Sequence, residues 1–280
     1  MLVYTTRYLE LLKRCITREI FIDEAVEDVL WWPEGGFFGS PEVTWKLLHE
    51  AGRRIVRPFT DYERHRAGVA WPMHAETMVG TVRLENVHEL VRRTLQDEIP
   101  GDLVETGVWR GGVIILMRAL LEEYGDADRL VWACDSFEGL PQSNPEKYPD
   151  DVGHQLDEIA RKQISVPLEQ VKRNIKRYGL LDDRIRFLEG WFRDTLPNAP
   201  IRKISVLRLD GDLYESTMDA LVHLEPKVMP GGYIIVDDYL SWKPCRLAVT
   251  RYRQDHGIND KINKIDWTGI WWRKSLNGSS

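Results

Sequence analysis

The sequence predicts an α/β fold: a doubly wound, mostly parallel sheet with a helical appendage at the N-terminus. Three observations predict it. From residue 103 onward, short continuous apolar runs alternate with helical stretches, as in parallel strands covered on both faces. The first run, Leu103 to Glu105, leads through Gly107, Gly111 and Gly112 into an apolar helical stretch. Several runs end on acidic residues, the strand ends outside which such sheets hold their ligands.

The elements follow in order. Residues 4–19 place Tyr8, Leu11, Leu12, Cys15 and Ile16 on one helical face. Residues 30–41 carry Trp31, Trp32, Phe37 and Phe38 among glycines and prolines, which predicts an aromatic loop that is either a lid or a packed collar. A further helix is expected from Ser40-Pro41, with Ser40 as cap. Residues 53–70 read as charged, irregular and mobile, and Thr77 to Gln96 as a strong helix broken by Pro100-Gly101. Strands are expected at Leu103–Glu105, Leu130–Cys134, Ile185–Leu188, Ile204–Leu209 and Tyr233–Val236, with helices at 113–124, 167–178, 214–225 and 245–255. Ile265–Arg273 reads as a last strand in an antiparallel edge hairpin, and 136–166 as a long functional or mobile insertion. The chain thus divides into 1–100, a helical lid and acceptor-covering region, 101–274, the α/β domain, and a tail, 275–280.

Composition narrows the function. A net charge of −6 with no basic stripe argues against nucleic acid as the main partner. Three scattered cysteines, Cys15, Cys134 and Cys245, read as reduced thiols of a cytoplasmic protein. The N-terminus lacks a signal peptide's apolar segment, and no apolar run approaches the ~20 residues of a membrane span. The eleven tryptophans gather toward the two ends of the chain, which suggests an apolar or sugar-stacking surface there, with core packing as the alternative for any one of them. A homo-oligomer is left open.

Strand, glycine turn and helix N-terminus make a nucleotide-type pocket with exposed backbone N–H donors. Trp109 stands where a dinucleotide fingerprint has its second glycine, and it would crowd a pyrophosphate. An acid before the first glycine, Glu105, instead suits S-adenosylmethionine, whose ammonium and sulfonium meet carboxylates; an ordinary βα turn is the alternative. Asp135 closes the second strand, where a carboxylate accepts ribose hydroxyls, and Gly190-Trp191-Phe192 closes the third, where an adenine ring is sandwiched. A helix cap and a core aromatic pair are the respective rivals.

Asp210, Asp237 and Asp238 end two consecutive strands. Three carboxylates in one place repel unless a cation lies between them, and oxygen-only ligands point to Mg²⁺ or Ca²⁺ rather than zinc. The alternative is that Asp212 or Asp238 caps a helix. His154, in the long insertion, reads as a general base or as a polar loop residue.

Three long motifs, Asp102–Gly112, Val206–Thr217 and Gly231–Tyr239, together resemble the macrocin O-methyltransferase family. Arg7–Leu12, Thr77–Gly80, Asp135–Pro141 and Gly190–Pro197 support the likeness, which covers about 1–20 and 74–274. The resemblance implies a class I methyltransferase Rossmann-like fold, S-adenosylmethionine as donor, and Mg²⁺ on Asp210, Asp237 and Asp238. It places the donor site on Thr77, Met78, Glu105, Thr106, Gly107, Val108, Trp109, Arg110 and Gly111 in the first half of the chain. Further on, it adds Asp135, Ser136, Gly190, Trp191 and Asp210. It implies transfer of a methyl group to a sugar hydroxyl of a glycoside or oligosaccharide, with Asp210 or His154 taking the proton. Residues 21–73 depart from the family pattern, so a macrolide, an aminocoumarin sugar, and a mannose or rhamnose unit of a cell-envelope glycan all stay open as acceptors. A catechol-type methyltransferase and a non-catalytic adenosylmethionine-binding subunit are the competing functions.

Overall fold

The computed structural model describes residues 2–28, 48, 51, 53, 56–142, 144–153 and 164–276. The aromatic loop with Trp31, Trp32, Phe37 and Phe38, the helix expected from Ser40, and His154 lie outside the described residues.

The chain opens with helix α1 (Leu2–Ile16), followed by a two-stranded antiparallel ladder of β1 (Val26–Asp28) and β2 (Val56–Pro58). A short helix α2 (Tyr62–Arg66) comes next; the Asp61 carboxylate caps it by accepting the Arg64 N–H at 3.0 Å. Within the segment read as irregular, residues 56–58 thus pair as a strand and 62–66 form a capped helix. Helix α3 (Thr81–Gln96) starts four residues later than the apolar pattern predicts. Gly80 is extended at the cap position, and Thr77 turns its hydroxyl onto the Val79 N–H, which takes 77–80 out of the helix.

Then come β3 (Asp102–Thr106), α4 (Gly112–Glu123), β4 (Val131–Asp135), α5 (Leu168–Arg177), β5 (Ile185–Glu189), α6 (Phe192–Thr195) and β6 (Ile204–Leu209). They are followed by α7 (Tyr214–Leu224), β7 (Val228–Val236), α8 (Lys243–Asp255), β8 (Asn263–Lys264) and β9 (Ile270–Arg273). Seven strands form one sheet in the order β5-β4-β3-β6-β7-β9-β8. The pairs from β5 to β7 are parallel, and β9 and β8 add the antiparallel edge hairpin. The chain leaves β3 toward β5 on one side and returns to β6 on the other. The switch point of the sheet thus falls between β3 and β6, where a ligand crevice opens.

Alternation along the strands divides the core in two. Leu103, Val131, Val206 and Ile235 face α1, α3, α4 and α5, whereas Val104, Trp132, Leu207 and Ile234 face α7 and α8. Helix α4 is buried from Gly112 to Leu121, because the sheet and three helices surround it. Trp272 is fully buried and Trp271 packs on Tyr233, so the C-terminal tryptophans are largely core; Trp267 is the half-exposed exception. Among the described residues, no helix is long and apolar enough to cross a membrane.

Candidate active site

The glycine turn is shaped as much by its protein neighbours as by any ligand. Gly107 has φ +85°, and a Cβ there would sit 1.7 Å from the carbonyl oxygen of Asp210 at the end of β6. Trp109 follows in the left-handed region, φ 46°, its ring edge-on to Trp71 at 6.3 Å. Arg110 covers the Trp109 ring at 4.1 Å and donates to the Met73 and Ala75 carbonyls at 2.6 and 2.8 Å. That ties the segment before α3 down onto the turn. The same segment takes the first of the helix N–H donors that the sequence led us to expect exposed: the Gly112 N–H bonds the Glu76 carbonyl at 2.9 Å, while the Gly111 N–H bonds Val108 within the turn. Gly111 packs toward Val171 of α5 instead.

Asp135, at the end of β4, bridges this turn to the next loop. Its carboxylate accepts the Val108 N–H at 2.6 Å and the Phe137 N–H at 2.7 Å. The Ser136 hydroxyl adds a longer bond to the oxygen that Phe137 uses, at 3.5 Å. Beside Asp135 an open cavity runs between the glycine turn, the loop after β4, the start of α6 and the start of α7. Of the candidate donor residues, Met78, Gly107, Trp109, Asp135, Ser136, Trp191 and Asp210 line it. Thr77, Glu105, Thr106, Val108, Arg110, Gly111 and Gly190 do not. Asp212 lines the cavity with φ 55°, a strained conformation of the kind that gathers at functional sites.

Behind the cavity lies a buried charge network. Arg208 on β6 donates through Nη1 to Glu105 and to Asp210, each at 2.7 Å, and through Nη2 to Asp237. Arg83, from α3, donates to Asp237 as well and pairs with Asp266 at 3.0 Å. The guanidinium groups hold the Asp237 carboxyl below its usual range against the cost of burial. Burial pushes Glu105 up to about 8 and Asp212 up to about 7, and Asp238 is raised further by the neighbouring carboxylates. Asp210, Asp237 and Asp238 do converge: one oxygen of each lies within 4.8 Å of the others. Two arginines already neutralise part of the charge that this convergence brings together. Asp238 is the residue they leave out; its Oδ2 is buried without a partner. Nor does its carboxylate cap a helix, since its backbone carbonyl makes the bond to Trp242. A second acidic group, Glu10, Glu85 and His88, differs in being filled by the protein's own cation, Lys13.

A family profile for TylF macrocin-O-methyltransferases matches residues 5–274. The chain belongs to this family. It is an O-methyltransferase of the macrocin type by descent as well as by fold. It is 46% identical over 266 residues to the 8-demethyl-8-(2,3-dimethoxy-alpha-L-rhamnosyl)-tetracenomycin-C 4'-O-methyltransferase of Streptomyces olivaceus, covering 95% of this chain and 92% of that one. It is 42% identical to the mycinamicin III 3''-O-methyltransferase of Micromonospora griseorubida, over 96% of each chain. The solved O-methyltransferase NovP superposes with a TM-score of 0.83 at 40% identity, covering 97% of this chain and 99% of that one.

For this macrocin-type methyltransferase, Arg83, Arg208 and Asp266 are the residues around the cavity and triad that sequence reasoning passed over, and Asp212 is one it weighed only as a strand end or helix cap. Arg208 carried a usable signal: an arginine inside an apolar strand is buried at a cost and needs acidic partners. Arg83 and Asp266 carried none, because helix α3 and the loop before β9 meet Asp237 only after folding.

Proposed function

We propose that this chain is an S-adenosylmethionine- and Mg²⁺-dependent O-methyltransferase acting on a sugar hydroxyl of a glycoside. The observation that carries it is the double position of Asp210, which lines the cavity and also belongs to the carboxylate triad. A methyl donor lying along the cavity would then end beside the triad, at the switch point of the sheet. The family supports the donor, and relatives named for rhamnosyl-tetracenomycin and mycinamicin substrates support a sugar acceptor.

The donor set suits a hard divalent cation: three carboxylates, one of them with a buried oxygen that no protein group satisfies. When bound, Mg²⁺ would lower the pKa of a sugar hydroxyl at the triad. The chain's own work is orientation and proton removal. Trp109, Trp191 and Asp135 enclose the adenosyl part of the donor, and Glu105, held by Arg208, faces the turn from behind. Holding acceptor hydroxyl and methyl in line supplies on the order of 7–11 kcal/mol in favourable cases. Asp210 or His154 accepts the hydroxyl proton. Residues 1–100 form the region that covers the acceptor.

The test is incubation with labelled adenosylmethionine, Mg²⁺ and a panel of glycosides together with an aromatic diol. Transfer to a sugar hydroxyl is expected. Label on the diol alone would make the protein a catechol-type enzyme, and label on nothing would leave it a donor-binding subunit.

A further inference from the structure

The long insertion after β4 has a fixed point. Asp151 is completely buried, and its carboxylate accepts the backbone N–H of Tyr214 at 2.6 Å and of Glu215 at 3.1 Å. These are the first two N–H groups of α7, which have no partner inside their own helix. The residue at the local cap position, Leu213, has no side chain that can accept them. The carboxylate arrives instead from the insertion, 63 positions earlier in the chain. The Tyr148 ring, beside the Tyr214 ring at 6.5 Å, adds a second contact between the same two segments. A negative group at a helix N-terminus is further favoured by the helix dipole.

What α7 presents at this end matters for the cavity. Glu215, Ser216 and Asp219 line it, as does Arg193, which donates to Glu215 Oε1 at 3.1 Å. Glu215 Oε2 is buried without a protein partner. The bond from Asp151 to the Glu215 N–H therefore fixes the backbone of a residue that forms the cavity wall.

We infer that Asp151 is a positioning residue for donor binding: by capping α7 from the insertion, it holds the α7 wall of the cavity in its donor-competent place. The inference rests on the reading of this cavity as the adenosylmethionine site. Without the cap, the first turn of α7 frays, and the affinity for the donor falls by the fraction of molecules in which the wall is out of place. Asp151 touches neither donor nor acceptor in this scheme, so its effect falls on donor affinity and not on the transfer step.

Asp151→Ala and Asp151→Asn test this, with S-adenosylhomocysteine as the calorimetric probe and amide hydrogen exchange as the structural one. Asp151→Ala, which leaves both N–H groups unpaired, is expected to weaken binding about tenfold, the order that follows from the loss of one cap. Asp151→Asn keeps one acceptor oxygen and is expected to weaken it about threefold, so the conservative variant rescues in part. Exchange should accelerate in the first turn of α7 in the same order, while turnover at saturating donor stays within about twofold of wild type. Should the alanine variant fail to fold, the asparagine variant still reads both quantities. Wild-type affinity in both variants overturns the inference, as does unchanged exchange in α7. A fall in turnover at saturating donor with unchanged affinity also overturns it. A wild-type protein that does not bind S-adenosylhomocysteine overturns the donor reading itself, a result distinct from binding that is merely insensitive to Asp151.

Discussion

Glu105 and Arg208 stand directly opposite one another on the parallel strands β3 and β6, joined at 2.7 Å, with each side chain no more than 2% exposed. The pair crosses the switch point of the sheet and connects the strand that leads into the glycine turn to the carboxylate triad. Arg208 also holds the charged Asp237, and removing one partner of a buried ion pair strands the other, so Arg208→Met should destabilise the protein by roughly 3–5 kcal/mol in urea unfolding. A loss below about 1 kcal/mol would mean that solvent, not Arg208, satisfies these carboxylates.

The protonation of Glu105 makes stability depend on pH. Asp237 is served by two arginines, whereas Glu105 shares one nitrogen of Arg208 with Asp210. Burial accordingly raises Glu105 from the model-peptide value of 4.5 to about 8. Between those values the unfolded chain has released this proton and the native chain still holds it, so the contribution of Glu105 to stability falls as pH rises. The slope is at most about 1.4 kcal/mol per pH unit. Glu105→Gln, which cannot ionise, should lack this component. Urea unfolding of both proteins at about pH 5.5 and 7.5 reads the difference, and parallel profiles would contradict it.

Gly107→Ala should abolish the native turn. The new Cβ would meet the Asp210 carbonyl at 1.7 Å, and φ +85° is strained for alanine. Gly125 is the control, since its φ is +72° but nothing lies within 4 Å of a Cβ. Gly125→Ala should cost only the left-handed strain, about 1–2 kcal/mol, and Gly107→Ala well above it, as measured by unfolding or by loss of soluble protein. Equal costs would show that the turn can move away from β6.

Asp135→Ala should weaken S-adenosylhomocysteine binding at least tenfold. It removes the acceptor proposed for the ribose hydroxyls, and it also frees the Val108 and Phe137 N–H groups that hold the turn to the next loop. A buried donor left without a partner costs about 1–3 kcal/mol. Asp135→Asn, which keeps one acceptor, should fall between. Calorimetry with equal affinity for all three proteins would remove Asp135 from the donor site.

The triad should show a division of labour. Activity is expected to vanish in excess chelator and to return with Mg²⁺. Asp238→Asn should raise the Mg²⁺ requirement without loss of stability, because its Oδ2 has no protein partner to lose. Asp237→Asn should raise the requirement and also destabilise, because that carboxylate receives both Arg83 and Arg208. Magnesium titrations of activity and urea unfolding in chelator separate the two. Full activity of metal-free protein in chelator would leave the triad without its proposed role.

The sequence alone determined the parallel sheet, its strand ends and the convergence of Asp210 with Asp237 and Asp238. Those follow from local rules: apolar runs of strand length, alternating helices, and the placing of polar groups at the carboxyl ends of strands. It also determined the family, through motifs that lie within single βα units. Only the tertiary structure decided what stands between the carboxylates. Arg208 was visible but unassigned, Arg83 reaches Asp237 from an element distant in the chain, and Asp266 pairs with that arginine. The same holds for the helix N-terminus after the glycine turn, which Glu76 covers, and for the cap of α7, which Asp151 supplies. The physical reason is common to all of these. A buried polar group must find a partner wherever folding brings one, and periodicity along the chain carries no information about which distant segment that will be.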